Sequence, residues 1–227
     1  MVKVLFVVNL LFIMACGNNA PTAKKHSTGT IEAAEKASSA DKNVKLAEAP
    51  KDANAFKPFY IYSDKESAQN HYIPSGFMPD GKCLKFDDYW AESCQEGKSC
   101  IKISYDVDCS KQGQKWAGIY WLNPANNWGS RKGGFNLTGA TKLTFWARGD
   151  KGGERIEEVK IGGLTGDYPD SDTAVIGPII LSPEWKEYSI DLRGKDLSYI
   201  SGGFAWSTNV DVNPENCIFY FDQIRFE

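Results

Sequence analysis

The residues best able to do chemistry lie between positions 115 and 129, KWAGIYWLNPANNWG. There Trp116, Tyr120, Trp121 and Trp128 crowd together with Asn123, Asn126 and Asn127. Indole and phenol rings offer flat apolar faces, and primary amides offer both a donor and an acceptor. A sugar ring, with its apolar C–H faces and its belt of hydroxyls, would match both. Side chains alternate along a strand, so Trp116, Gly118 and Tyr120 share one face and Ala117, Ile119 and Trp121 the other. Large rings on buried strands are ordinarily core, and Trp116 and Tyr120 are expected there. Trp121 and Trp128 flank NPANN, a turn-forming segment that belongs at the surface, so these two are expected to face outward and bind.

Other chemistry has less support. The acidic run GDYPDSD brings Asp167, Asp170 and Asp172 close enough to offer oxygen ligands to calcium. It lacks the glycine and the terminal glutamate of a helix-flanked calcium loop, which favours a solvated turn, with Tyr168 as a rim contact. A glycosidase needs two carboxylates across the scissile bond. Glu154, Glu158 and Asp170 are available, but among 29 Asp and Glu residues such candidates carry little weight. There is no nucleophile elbow, and a serine triad would have to use His71, which is better read as a turn or core hydrogen-bonding residue. The expectation is a binding protein without catalysis and without a required cofactor.

These side chains need a scaffold, and the chain from residue 56 onward reads as short strands separated by Gly, Pro, Asn and Asp turns. Strands are expected at 59–63, 83–87, 99–106, 116–121, 142–148, 156–162, 174–181, 186–191, 203–206 and 217–226. No segment keeps a helical apolar period. The fold class is therefore all-β, a two-sheet antiparallel sandwich. Within it Leu143, Phe145 and Ala147 should face the core, as should Val159 and Ile161. That leaves Trp146, Arg148, Glu158 and Lys160 to line a common outer surface.

The amino terminus reads differently. Residues 2–15 carry one lysine and then an apolar run too short to cross a bilayer comfortably, as in a signal peptide. Met14, Ala15, Cys16 and Gly17 resemble the lipobox of bacterial lipoproteins, which implies cleavage before Cys16 and acylation of its thiol with palmitate-like chains. Residues 16–55, rich in Ala, Lys, Glu, Ser and Thr, lack the apolar surface to order and are expected to be a flexible tether. The implied location is exported and lipid-anchored in the cell envelope, at the outer membrane or cell surface. Cys83, Cys94, Cys100, Cys109 and Cys217 fit an oxidising compartment, with an odd thiol left over and the pairing open. A net charge of −3 and the lack of a basic run in the sequence argue against nucleic acid.

The runs AGIYWLNPANNWG, GGFNLTGATKLTFWARGDKGGE, EWKEYSIDLRGKDLSYISGGFAW and IFYFDQIRFE, in that order, resemble carbohydrate-binding, galactose-binding-like jelly rolls. Such modules occur on bacterial glycanases and in surface lipoproteins. The resemblance covers most of 56–227 and implies a polysaccharide partner, a monomer, and a glycan-receiving sheet face with Trp121, Asn126, Trp128, Arg148 and Trp206 in or near it. Glu158 would add a hydrogen bond to a hydroxyl. It also implies a structural calcium held through Asp222, with Gln223 where a second acidic residue is common. A protein-binding adhesin, a structural envelope lipoprotein and, with less support, a polysaccharide hydrolase or lyase are the alternatives.

Overall fold

The computed structural model describes residues 56–227. The expected signal peptide, the expected lipidation site Cys16 and the expected tether fall outside the described residues. The domain is two antiparallel sheets packed face to face. One contains β3 (Leu84–Trp90), β4 (Cys100–Tyr105), β13 (Cys217–Phe226), β6 (Lys142–Gly149) and β11 (Lys186–Asp191), with β1 (Phe59–Tyr62) added to β13 beyond the end of β4. The other runs β2 (Ile73–Pro79), β5 (Trp116–Leu122), β12 (Gly202–Asn209), β8 (Glu158–Gly162) and β9 (Thr173–Ile176). A two-stranded ribbon of β7 (Arg155–Ile156) and β10 (Ile179–Ile180) completes the set.

Alternation drives this arrangement. Phe145 and Ala147 of β6 and Phe219 and Phe221 of β13 point inward to meet Ile119, Trp121, Phe204 and Trp206 from the opposite sheet. The rings interlock edge to face: Trp206 with Phe219 at 5.1 Å, Phe204 with Phe145 at 5.5 Å and with Phe221 at 5.7 Å. Each such side chain contributes about 1.5–3 kcal/mol by leaving water. Strand β13 stays in register with the core by a bulge. Phe219 and Phe221 face in, Gln223 takes a left-handed φ of 47°, and Ile224 and Phe226 then face in with the phase shifted by one.

Two elements go beyond the sequence expectation. Strand β2 contains Pro74 and Pro79, which an edge strand tolerates because one side of its backbone has no partner. A helix too short to show a period, α1 (Val107–Lys111), is capped by Asp106, whose Oδ1 accepts the Cys109 amide at 2.9 Å. The disulfide Cys83–Cys109 ties it to the turn before β3. Cys94–Cys100 closes the loop between β3 and β4. Cys217 is the remaining thiol among the described residues, its pKa pushed up to about 12, chiefly by burial.

Candidate binding face on the five-stranded sheet

The parity expected for β5 holds, but the main core takes the other face; Tyr120 is buried as expected, at 2% exposure, in a small separate cluster with Leu122, Leu164 and Ala205. Trp121 points into the core at 1% exposure, packed against Phe86 and Phe204. Trp116, at the start of the strand, stands on the outward face at 38%. The register explains this: Trp121 pairs with Phe204 and Ile119 with Trp206, and the inward residues of β12 must meet the Phe-rich six-stranded sheet. Trp206, expected beside the ligand, is likewise sealed at 1%, its indole N–H without a partner.

The outward face has small residues for its floor. Register rows run Met78–Gly118–Ser207–Glu158 and Gly76–Tyr120–Ala205–Lys160–Val175. Short side chains at Gly118, Ala205 and Ser207 leave a trench of about 150 Å³ bounded by Met78, Trp116, Glu158 and Lys160. Gly118 has no room for a side chain, since a Cβ there would strike the Trp206 carbonyl oxygen. At the other end, Trp128 lays its ring over Gly76 and 6.1 Å from the Tyr120 ring, yet is 44% exposed. Trp116 and Tyr120 are four residues apart, about 13 Å at ~3.3 Å per residue. The face thus presents two solvent-facing indoles, one of them, Trp116, at the edge of a shallow polar trench.

Charge in the trench comes from Glu158 and Lys160, 3.4 Å apart and both partly exposed. A pair so wetted adds little to stability and keeps donors and acceptors free for a ligand. Lys160 Nζ lies 5.7 Å from the Tyr120 ring. The Tyr120 hydroxyl donates to the Gly162 carbonyl. Burial, then the charges of Asp170 and Glu158, hold its pKa well above the usual phenol value, so it is a fixed neutral donor.

Loops set the position of Trp128. Asn127 is buried and staples its own loop, donating to the Asn123 and Arg131 carbonyls and accepting the Arg131 amide. Asn126 is exposed with a left-handed φ of 58°, a conformation asparagine tolerates, and its amide donates to Ser75 Oγ at 2.9 Å. The Tyr168 amide donates to the Gly129 carbonyl at 2.9 Å, joining the acidic loop to the Trp128 loop. Gly129 makes that approach possible: its φ is +84° and a Cβ would strike Thr165 O. Two of the three carboxylates of the acidic loop serve as braces. Asp170 accepts the Ser201, Gly202 and Leu164 amides, and Asp172 those of Thr173 and Asp196. Burial raises the Asp170 pKa against the pull of those amides.

The sequence-expected residues therefore separate. Trp128, Asn126 and Glu158 sit on this face or in the loop bordering it, and Tyr168 in the loop stitched to that one. Trp121 and Trp206 are core. Arg148 lies on the other sheet, its guanidinium over the Tyr220 ring at 3.7 Å, so Arg148 and Trp146 do not share a surface with Glu158 and Lys160. Lys160 joins Glu158 as expected, and Trp116 and Ser207 are the additions. Their signal was the small residues of matching parity, Gly118 and Ala205, which leave a ring at Trp116 with nothing to pack on. His71 stacks on Phe59 at 3.8 Å and its Nδ1 contacts the Tyr60 carbonyl, and Glu154 is buried holding two backbone amides.

The surroundings of Asp222 do not fit calcium. Its carboxylate accepts the amides of Gln95, Glu96 and Gln223 at 2.8–3.1 Å, donors where a cation would need oxygens. Its neighbours Cys94 and Cys100 are joined to each other and offer no thiolate. Burial, chiefly, raises Asp222 to about 7.

No protein-family model and no curated protein matches the chain. Among solved structures it is similar to the family 30 carbohydrate-binding module of a cellulosomal cellulase of Clostridium thermocellum. Identity is 14% over 75% of this chain and 97% of that one, with a TM-score of 0.49. A family 29 carbohydrate-binding module complexed with cellulohexaose is 12% identical over 75% of this chain and 89% of that one, with a TM-score of 0.45. The family 11 module of another Clostridium thermocellum cellulosomal cellulase is 14% identical over 63% and 79%, at 0.40.

Proposed function

We propose that the domain binds a neutral polysaccharide, without catalysis, on the outward face of the five-stranded sheet. The observation that carries this is the pair of solvent-facing indoles, Trp116 and Trp128, on one sheet face, with Glu158, Lys160 and Ser207 in the trench that Trp116 helps to line. Stacking on the rings would hold the apolar faces of two sugar units, at about 1 kcal/mol per ring on the scale of aromatic pairs. The charged and hydroxyl groups of the trench would take the equatorial hydroxyls, with Asn126 and Tyr168 at the margin. Binding without hydrolysis is supported by the trench lining, where Glu158 is the one carboxylate among the described residues and a glycosidase needs two.

We further propose that Cys16 anchors the chain in the envelope through lipid, with residues 16–55 as spacer. The support is the Met14–Gly17 motif and the two disulfides, which belong to an oxidising compartment. Incorporation of labelled palmitate, lost in Cys16→Ser, tests the anchor. Native electrophoresis of the protein through gels containing neutral polysaccharides tests the face. Retardation that disappears in a Trp116→Ala, Trp128→Ala double variant is expected, with no release of reducing ends. Retardation unaffected by both substitutions would overturn the reading.

A further inference from the structure

The six-stranded sheet has an outward face of a different kind. Strand register makes Asp87 of β3, Lys102 of β4, Tyr220 of β13 and Arg148 of β6 successive cross-strand neighbours. Trp185, just before β11, extends the row, its ring 5.3 Å from the Arg148 guanidinium. Cations and rings alternate along it. Lys102 Nζ lies 3.5 Å from the Trp90 ring and 5.9 Å from Tyr220, and Arg148 Cζ lies 3.7 Å from Tyr220. At ~4.8 Å per strand the row is about 19 Å long. Beside it Lys85, Asp87, Trp90, Lys102 and Ser104 line a cleft of about 120 Å³.

This row is built into the fold. The loop 91–99 borders it, closed by Cys94–Cys100 and held from beneath by Asp222. The same loop fixes both indoles by their N–H groups: Trp90 Nε1 donates to the Glu92 carbonyl at 3.0 Å and Trp185 Nε1 to that of Ser93 at 2.7 Å. With those donors used, the two indoles have only ring surface to offer.

The charges are unbalanced. Among the described residues Lys85, Lys102 and Arg148 form no ion pair, while seven other cation–carboxylate contacts exist in the domain. The nearby acids are engaged locally: Asp87 Oδ1 accepts the Tyr89 amide and Asp150 Oδ1 the Tyr220 hydroxyl. Arg148 spends one Nη1 donor on the Gly149 carbonyl at 3.2 Å. A guanidinium lying on an aromatic face keeps its remaining in-plane N–H groups available to an anion, and an ammonium over a ring keeps donors on its far side. Cations without carboxylate partners, interleaved with flat rings, complement a chain of sugar rings that carries negative charge.

We propose that this face is a second binding surface, separate from the trench, that takes a glycan bearing carboxylate or sulfate groups. Asp87 at the end of the row restricts the anion to its Lys102–Arg148 part. The test is native electrophoresis of the full chain at low salt through gels containing polygalacturonate, dextran sulfate or a neutral glucan. The expected result is retardation by at least one polyanion, and which of the two retards distinguishes carboxylate from sulfate. Retardation should fall as salt rises through ~0.1 M, where the screening length is about 10 Å. Lys102→Gln with Arg148→Gln should weaken binding at least tenfold and leave any neutral-glucan retardation unchanged. Lys85→Gln, at an exposed position that folding does not depend on, should weaken it two- to threefold. No retardation by either polyanion, retardation that survives the double variant, or retardation abolished by Trp116→Ala would each overturn the proposal. Failure with neutral glucans alone would count against the trench and not against this face.

Discussion

The two outward faces of this sandwich carry similar aromatic inventories and use them differently. On the five-stranded sheet Trp116 has Asn209 as its cross-strand neighbour and the short pair Gly118–Ser207 in the next row of its face, too short to cover it, and Trp128 is carried on a loop over Gly76, so both rings remain wetted. On the six-stranded sheet the neighbours are Lys102 and Arg148, long enough to lie across Tyr220, and a disulfide-closed loop fixes Trp90 and Trp185. Whether a surface ring is free to bind is thus decided by the reach of its neighbours across the strands. The first face offers bare rings and suits uncharged sugars. The second offers rings already paired with cations and suits anions.

The comparison can be broken most forcefully from the core that both faces share. Trp121→Ala should cost about 3–5 kcal/mol, read as a lowered urea midpoint, and should impair both faces together. Loss at one face only would mean that the sheets fold more independently than their interlocked rings imply. The next effect concerns only the six-stranded side. Asp222 binds its proton more tightly folded, at about 7, than its ordinary 3.8. Between those values the folded state holds more protons than the unfolded one, so stability from this group is gained as pH falls from 7 toward 4 and lost as pH rises. At ~1.4 kcal/mol per pH unit this is a few kcal/mol, and Asp222→Asn should flatten the dependence of the melting temperature over that range. Asp64, which accepts the Lys98 and Ser99 amides of the same loop, remains in that variant as an internal control.

Replacing Cys94 and Cys100 with serine opens a short loop and should cost about 2 kcal/mol. It should loosen the border of the cationic row while trench binding persists, measured by comparing retardation in neutral and acidic gels. The smallest energetic effect sharpens the contrast most. Trp116→Ala and Trp128→Ala should each weaken neutral-glycan binding about fivefold, equal to about 1 kcal/mol, with less than ~0.5 kcal/mol change in stability.

The scaffold was largely legible where one parity was apolar and the other polar. Leu143, Phe145 and Ala147, and Val159 and Ile161, are buried as alternation requires. The reading fails where both parities are apolar. In WAGIYWL, Ala117, Ile119 and Trp121 compete with Trp116, Gly118 and Tyr120 for the core, and strand periodicity carries no information about which side wins. The turn chemistry of NPANN did locate the Trp128 loop and the exposed Asn126, but extending that surface character back to Trp121 was an error of one residue, since the strand continues through Leu122. Strand β2 was hidden by its prolines and α1 by its length.

By itself the sequence determined the all-β class, most of the strands, the crowding of aromatics near 116–128 and an odd number of cysteines in the domain, because these follow from local alternation, turn residues and composition. Tertiary structure decided which indoles face water, that Arg148 and Glu158 lie on opposite sheets, and that Asp222 holds a loop. It also decided that Lys85, Lys102 and Arg148, scattered along the chain with no basic run between them, fall beside one another. Cross-strand register and long-range loop contacts, which no local pattern encodes, are the physical reasons for these four outcomes.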